Sequence, residues 1–310
     1  MKTQTFTASD GQQIICSLWD RVTGAPRGVV QIIHGMDEHV GRYDRFAKFL
    51  NKNGYIVWGD DHRAHGRTAG RAEHVGRPMG DADLFASTVA DELEILEYLR
   101  GRFNLPVILF GHSYGSFITQ SVISQTSRHS GVILSGTARY PRALVRMAYW
   151  AAAVGTWISG PNASARFLEL FSPIRSRPGR PSKLTRDPAQ VAAHDRDPWR
   201  TKYFSYGFYK SLFKNLLRLR YAANPDIPML ILAGDADAVG GHGKYAFKLY
   251  ETYVMRVRNT SLYIYPDARH ELLLELNYAD VQDDALKFIN TARQNACHIN
   301  RCEITLNLKS

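Results

Sequence analysis

Short apolar runs alternate along the chain with stretches in which apolar residues recur every three to four positions. Residues 29–33, 55–58, 106–110, 132–134, 229–232 and 262–265 form six such runs. Spaced by helical patterns, runs of this length predict strands of a mostly parallel sheet with helices on both faces. Ahead of them, residues 3–7 and 13–19 flank Asp10-Gly11, a hairpin signal, so two antiparallel strands are expected to open the sheet. Helical spacing is clear in residues 43–53, in residues 82–100, where Leu93, Ile95, Leu96 and Leu99 recur, and in residues 279–291. The fold class expected is α/β.

The alternation fails from about residue 137 to residue 210, where Pro, Arg, Gly and aromatic residues replace the strand runs, and it resumes at Ile227-Pro228. That segment reads as an insertion. The expected organisation is a core of residues 1–136 and 211–310 with a subdomain of residues 137–210 between its halves. Inside the insertion, residues 144–158, with Met147, Trp150, Ala151, Val154 and Trp157, predict a helix with an apolar face. Packing on the core and contact with an interface are equally open for that face.

Composition limits the function classes. With 310 residues and 45% of them hydrophobic, the chain fills a large core and is not disordered. The longest weakly charged apolar stretch, residues 147–160, falls short of the roughly 18 to 20 residues that cross a bilayer, and the N-terminal residues run straight into strand-like sequence. A soluble, cytoplasmic protein is expected. Three cysteines, Cys16, Cys297 and Cys302, are too few for a disulfide framework. Cys297, His298 and Cys302 lack a fourth ligand for a metal, so the C-terminus reads as a polar tail. The net charge of +10 is concentrated: residues 137–220 hold 16 Lys or Arg against 4 Asp or Glu, a net of +12, which leaves −2 for the rest. No nucleic-acid-binding motif accompanies it, so nucleic acid is not the expected partner.

The chemistry sits at strand ends. Gly111-His112-Ser113-Tyr114-Gly115 follows the run at 106–110 and opens a helix-compatible stretch. A G-x-S-x-G turn between strand and helix presents a serine hydroxyl above a sheet. Such a serine needs a base within hydrogen-bond reach and an acid to orient that base. The chain order in this architecture is Ser, acid, His. Asp235 and Asp237 stand after the run at 229–232, and both are candidates for the acid; His270, after the run at 262–265, is the candidate base. The loop His34-Gly35-Met36-Asp37-Glu38-His39 follows the run at 29–33, so the backbone N–H groups of Met36 and Tyr114 are the expected oxyanion donors. His62 and His65, beside Asp60 and Asp61, read as a hydrogen-bonded structural loop and not as metal ligands.

Together these motifs resemble the monoacylglycerol lipase and lysophospholipase group of α/β-hydrolases over most of the chain. The resemblance rests on Asp10-Gly11, on H-G-x-x-E-H at residues 34–39 followed by Gly41-Arg42-Tyr43, on D-x-R-x-H-G at 61–66, on G-H-S-x-G at 111–115, on G-x-x-D at 234–237 and on the late His270. It implies the α/β-hydrolase fold, and it favours Asp237 over Asp235 as the acid. The insertion is implied to be a cap with a hydrophobic face, with Asp197-Pro198 near its end. Ester hydrolysis of a monoacylglycerol-like or lysophospholipid-like substrate is implied, with no metal or organic cofactor. Two departures bear on substrate: Ser116 stands where the group usually has glycine, and Met36 is large for its place. A carboxylesterase for short soluble esters, or a catalytically silent ligand receptor, are the alternative expectations. The basic insertion suggests transient contact with a lipid surface; oligomeric state is not legible.

Overall fold

A computed structural model describes residues 1–170, 182–201 and 203–307, with the backbone alone for residues 170 and 296–307. Eight strands form one sheet: β1 (Lys2–Thr7), β2 (Gln13–Trp19), β3 (Gly28–Ile33), β4 (Tyr55–Asp60), β5 (Val107–His112), β6 (Gly131–Ser135), β7 (Met229–Gly234) and β8 (Thr260–Tyr265). Their order is β1-β2-β4-β3-β5-β6-β7-β8. β2 pairs antiparallel with β1 and with β4, and every other pairing is parallel.

Every residue of β3 to β7 is buried, which explains their uninterrupted apolar sequences. Successive side chains point to opposite faces, so Val29 and Ile33 enter one core while Val30 and Ile32 enter the other. α1 (Asp44–Lys52) and α9 (Tyr278–Asn307) close one core through Phe46, Leu50, Val281, Ala285 and Ile289. α2 (Leu84–Phe103), α3 (Tyr114–Ile123) and α8 (Lys244–Val254) close the other. This is the α/β-hydrolase arrangement. α9 runs further than the helix expected over residues 279–291, and the segment read as a polar tail continues it as helix. No Gly or Pro interrupts residues 278–307, so nothing in the backbone stops it. The side chains of Cys297, His298 and Cys302 lie outside the described residues.

Between β6 and β7 the chain leaves the sheet and forms α4 (Arg142–Ser159), α5 (Arg166–Leu170), α6 (Pro188–Asp195) and α7 (Tyr206–Arg218). α4 turns its small residues inward: Ala152 is buried, and a Cβ on Gly155 would meet the Tyr206 ring at 2.2 Å. Its bulkiest residues face outward, with Met147 70%, Trp150 61% and Trp157 85% exposed. Of the two fates open to this face, packing on the core is not the one adopted. Among the described residues, no helix is long and apolar enough to cross a membrane.

Candidate active site

The turn from β5 into α3 holds Ser113 at φ 50°, ψ −116°, a conformation costly for a side-chain-bearing residue. The flanking glycines are required by space. A Cβ on Gly111 would lie 2.2 Å from Thr119 Oγ1, and one on Gly115 would lie 2.0 Å from the carbonyl oxygen of Ile33. Ser116, where the resembled group usually has glycine, is buried and uses its hydroxyl to donate to the Ser113 carbonyl at 2.6 Å. It therefore braces the turn.

Three strand ends converge on that serine. His270, after β8, places Nε2 at 2.8 Å from Ser113 Oγ and Nδ1 at 2.9 Å from Asp237 Oδ2. All three residues are buried. Asp235 instead lies exposed in the turn after β7, while Asp237 also accepts from the Val239 N–H at 2.8 Å. Burial alone would raise the Asp237 carboxyl; the His270 charge, its hydrogen bond and the N–H groups of Gly240 and Val239 outweigh it and hold the group below the usual carboxylate range. For His270 burial acts downward, but the Asp237 charge and hydrogen bond, with Glu271 and Glu38 nearby, raise it above the ordinary imidazole value. His112 is a second buried imidazole, 5.1 Å from the His270 ring. Burial, with the His270 charge adding, pushes it down to about 3, so it stays neutral.

Met36 and Tyr114 both border this point. Tyr114 opens α3 directly after Ser113, and Met36 follows β3, the strand beside β5. The Met36 side chain packs partly buried against the core. The loop carrying it is tied down on three sides. Glu38 accepts from the Gly35 N–H, from Tyr43 Oη at 2.8 Å and from Arg42 at 3.2 Å. Arg42 donates two further bonds, at 2.7 and 2.9 Å, to Glu271, the residue after His270. Asp37 accepts from the Thr201 N–H at 2.8 Å, and His39 Nε2 lies 2.9 Å from Asp197 Oδ2, so the loop is also joined to the insertion. Sequence reasoning gave Glu38, Arg42 and Glu271 no roles. The pairing joins residues 38–42 to residue 271; Glu38 and Arg42 stand in the motifs at residues 34–43, but nothing local links them to the acidic residue next to His270.

His62 and His65 are buried beneath the same loop. His62 Nδ1 faces Asp60 at 2.9 Å and Glu92 at 3.2 Å, and its Nε2 donates to the His34 carbonyl at 3.1 Å. Burial opposes its charge, yet the two carboxylates raise it well above the ordinary value, so an imidazolium fastens the end of β3. The ligand atoms of Asp60, His62 and Glu92 lie within 4.8 Å of one another, spacing that could hold a cation. Burial and the Asp60 charge push Glu92 up to about 8, so the imidazolium chiefly faces the charge of Asp60.

The chain is 27% identical over 296 residues to the monoglyceride lipase homolog of Monkeypox virus, covering 94% of this chain and 98% of that one. Against the monoglyceride lipase of Homo sapiens it is 28% identical over 273 residues, 86% of this chain and 83% of that one. A solved structure titled as a lipase in its open form superposes with a TM-score of 0.81 at 27% identity, over 94% of this chain and 99% of that chain. The family described as serine aminopeptidase, S33 matches residues 24–277, which takes in every strand from β3 to β8, and this chain belongs to it.

Proposed function

We propose that the protein is a carboxylic ester hydrolase acting on lipid esters such as a monoacylglycerol or a lysophospholipid. The observation that carries the reading is the buried hydrogen-bonded chain from Ser113 Oγ through His270 to Asp237 at the strained turn. In this reading Ser113 Oγ attacks the ester carbonyl while His270 Nε2 takes its proton, and Asp237 stabilises the imidazolium that forms. The N–H groups of Met36 and Tyr114 receive the oxyanion. His270 then returns the proton to the leaving alcohol, and a water deprotonated by His270 releases the fatty acid from the acyl-enzyme.

Lipid as the substrate class is supported by the lipase relatives and by the outward apolar face of α4. The chain between β6 and β7, from α4 to the end of α7, acts as a cap in this reading, its net +12 over residues 137–220 drawing the protein to anionic lipid while α4 enters the interface. One observation favours a second reading, a carboxylesterase for short soluble esters. Met36 is larger than the residue many members of the resembled group carry at its position, and in this second reading it narrows the acyl pocket. Labelling by a fluorophosphonate tests the nucleophile: it must modify Ser113 and disappear in Ser113→Ala, and labelling elsewhere would overturn the assignment. Rates on esters of increasing acyl length decide the substrate, since a maximum at the shortest chains would replace the lipid reading with the second.

A further inference from the structure

The chain passes from the sheet into the insertion just before α4 and returns just after α7. Both crossings line one cleft, with α8 as its third wall. Its volume is about 620 Å³, within the roughly 300 to 1,000 Å³ range of sites for small organic ligands. Four cations stand around it: Arg139 and Arg142 from the incoming crossing, Arg220 from the outgoing one and Lys248 from α8. Glu251 is the one carboxylate among the lining residues. All four cations are exposed, and among the described residues none of them forms an ion pair.

The bonds these side chains do make are to neutral groups. Arg139 donates to Thr252 Oγ1 at 2.7 Å and lies over the Tyr221 ring, and Arg142 donates to the Leu217 carbonyl at 3.3 Å. Arg220 and Lys248 have no side-chain hydrogen bond among the described residues. Elsewhere in the fold Arg42, Arg63 and Arg67 each meet a carboxylate. Four unpaired cations gathered from three segments repel one another, and a concave, low-dielectric wall focuses their field on whatever enters. Deeper in the cleft the lining is apolar and aromatic, with Phe117, Val145, Leu219 and Tyr140.

We infer that this cleft is a second ligand site, separate from Ser113, which binds an organic phosphate through Arg139, Arg142, Arg220 and Lys248 with its carbon skeleton against the apolar floor. Phosphate suits the site because several oxygens spread over one group accept from donors arriving from different directions. Such a ligand bridges both crossings of the chain to α8 and steadies the root of the insertion. The inference goes beyond the esterase reading and does not depend on it.

Two sources of the phosphate are separable by experiment. The full chain is titrated calorimetrically at low ionic strength with octyl phosphate below its aggregation concentration, with glycerol 3-phosphate, and with octyl glucoside as an uncharged control. The test variant is Arg220→Gln/Lys248→Gln, whose side chains anchor nothing else. The expected result is phosphate binding that weakens with salt and at least about tenfold in the variant, because two of four charge-assisted contacts are gone. Thermal stability and hydrolysis of a soluble ester should stay unchanged in it. Tighter binding of octyl phosphate supports a phospholipid headgroup, and equal binding of glycerol 3-phosphate supports a small soluble phosphate. Affinity unaltered in the variant, octyl glucoside matching octyl phosphate, or no binding of either phosphate would overturn the site.

Discussion

A hydrogen-bonded chain of three buried side chains acts as a unit, so the losses caused by removing its members overlap. Ser113→Ala and His270→Ala should each lower kcat by at least about a thousandfold, and the double variant should lose little more than either alone. Multiplicative losses would argue against shared chemistry. Asp237→Asn should cost far more activity than Asp235→Asn, because Asp237 faces Nδ1 and Asp235 is exposed in its turn. The opposite ranking would move the acid to Asp235. In the proposed mechanism protonated His270 cannot accept the Ser113 proton, so activity should fall as pH drops through its pKa. That pKa is raised above 6.5 chiefly by Asp237 acting against burial, so the acid limb of kcat/KM should have its midpoint above 6.5. In Asp237→Asn the residual activity should show a limb at lower pH, and an unmoved limb would sink the assignment of that titration to His270.

The elements are joined through the ion network of Glu38, Arg42 and Glu271, which links the loop after β3 to the loop after β8. Among the described residues Arg42 is the one cation paired with both buried carboxylates, and the three groups stabilise one another only together. Arg42→Met strands two negative charges and should destabilise by about 3–5 kcal/mol, the range for removing one partner of a buried pair. Glu271→Gln leaves the Arg42–Glu38 pair and should cost less. It also removes one of the charges that raise His270, so its acid limb should shift to lower pH with the triad intact. Denaturant melts and pH profiles of both variants check this. Equal destabilisation by the two would show that the network does not act as a triad.

For the molecule as a whole, the basic charge and the apolar face belong to the same insertion. Trp150 and Trp157 on α4 are mostly exposed, so Trp150→Ser/Trp157→Ser should leave folding and hydrolysis of a soluble short ester nearly unchanged. It should lower binding to anionic vesicles and hydrolysis of vesicle-borne monoacylglycerol. Attraction by the basic residues, about 1 kcal/mol each near such a surface, should fade as salt is raised. A vesicle rate indifferent to the substitution, to lipid charge and to salt would dismiss docking and leave the esterase reading standing.

The sequence by itself determined the central strands β3 to β7, because strands buried on both faces must be apolar throughout and therefore stand out between helices. It also pointed to Ser113 and His270, since glycine spacing and placement after a strand are local properties. Asp235 and Asp237 were separable only by likeness to a family until the turn after β7 showed one carboxyl buried and the other exposed. The apolar face of α4 was legible, but periodicity could not say whether it turns to the core; the close fit of Gly155 against Tyr206 put the small residues inward and left the bulky ones outside. Pairings such as Arg42 with Glu271 and His62 with Glu92 cross long stretches of chain. The first exists because the sheet brings the ends of β3 and β8 to one edge and the second because α2 packs against the sheet, and no local pattern encodes either.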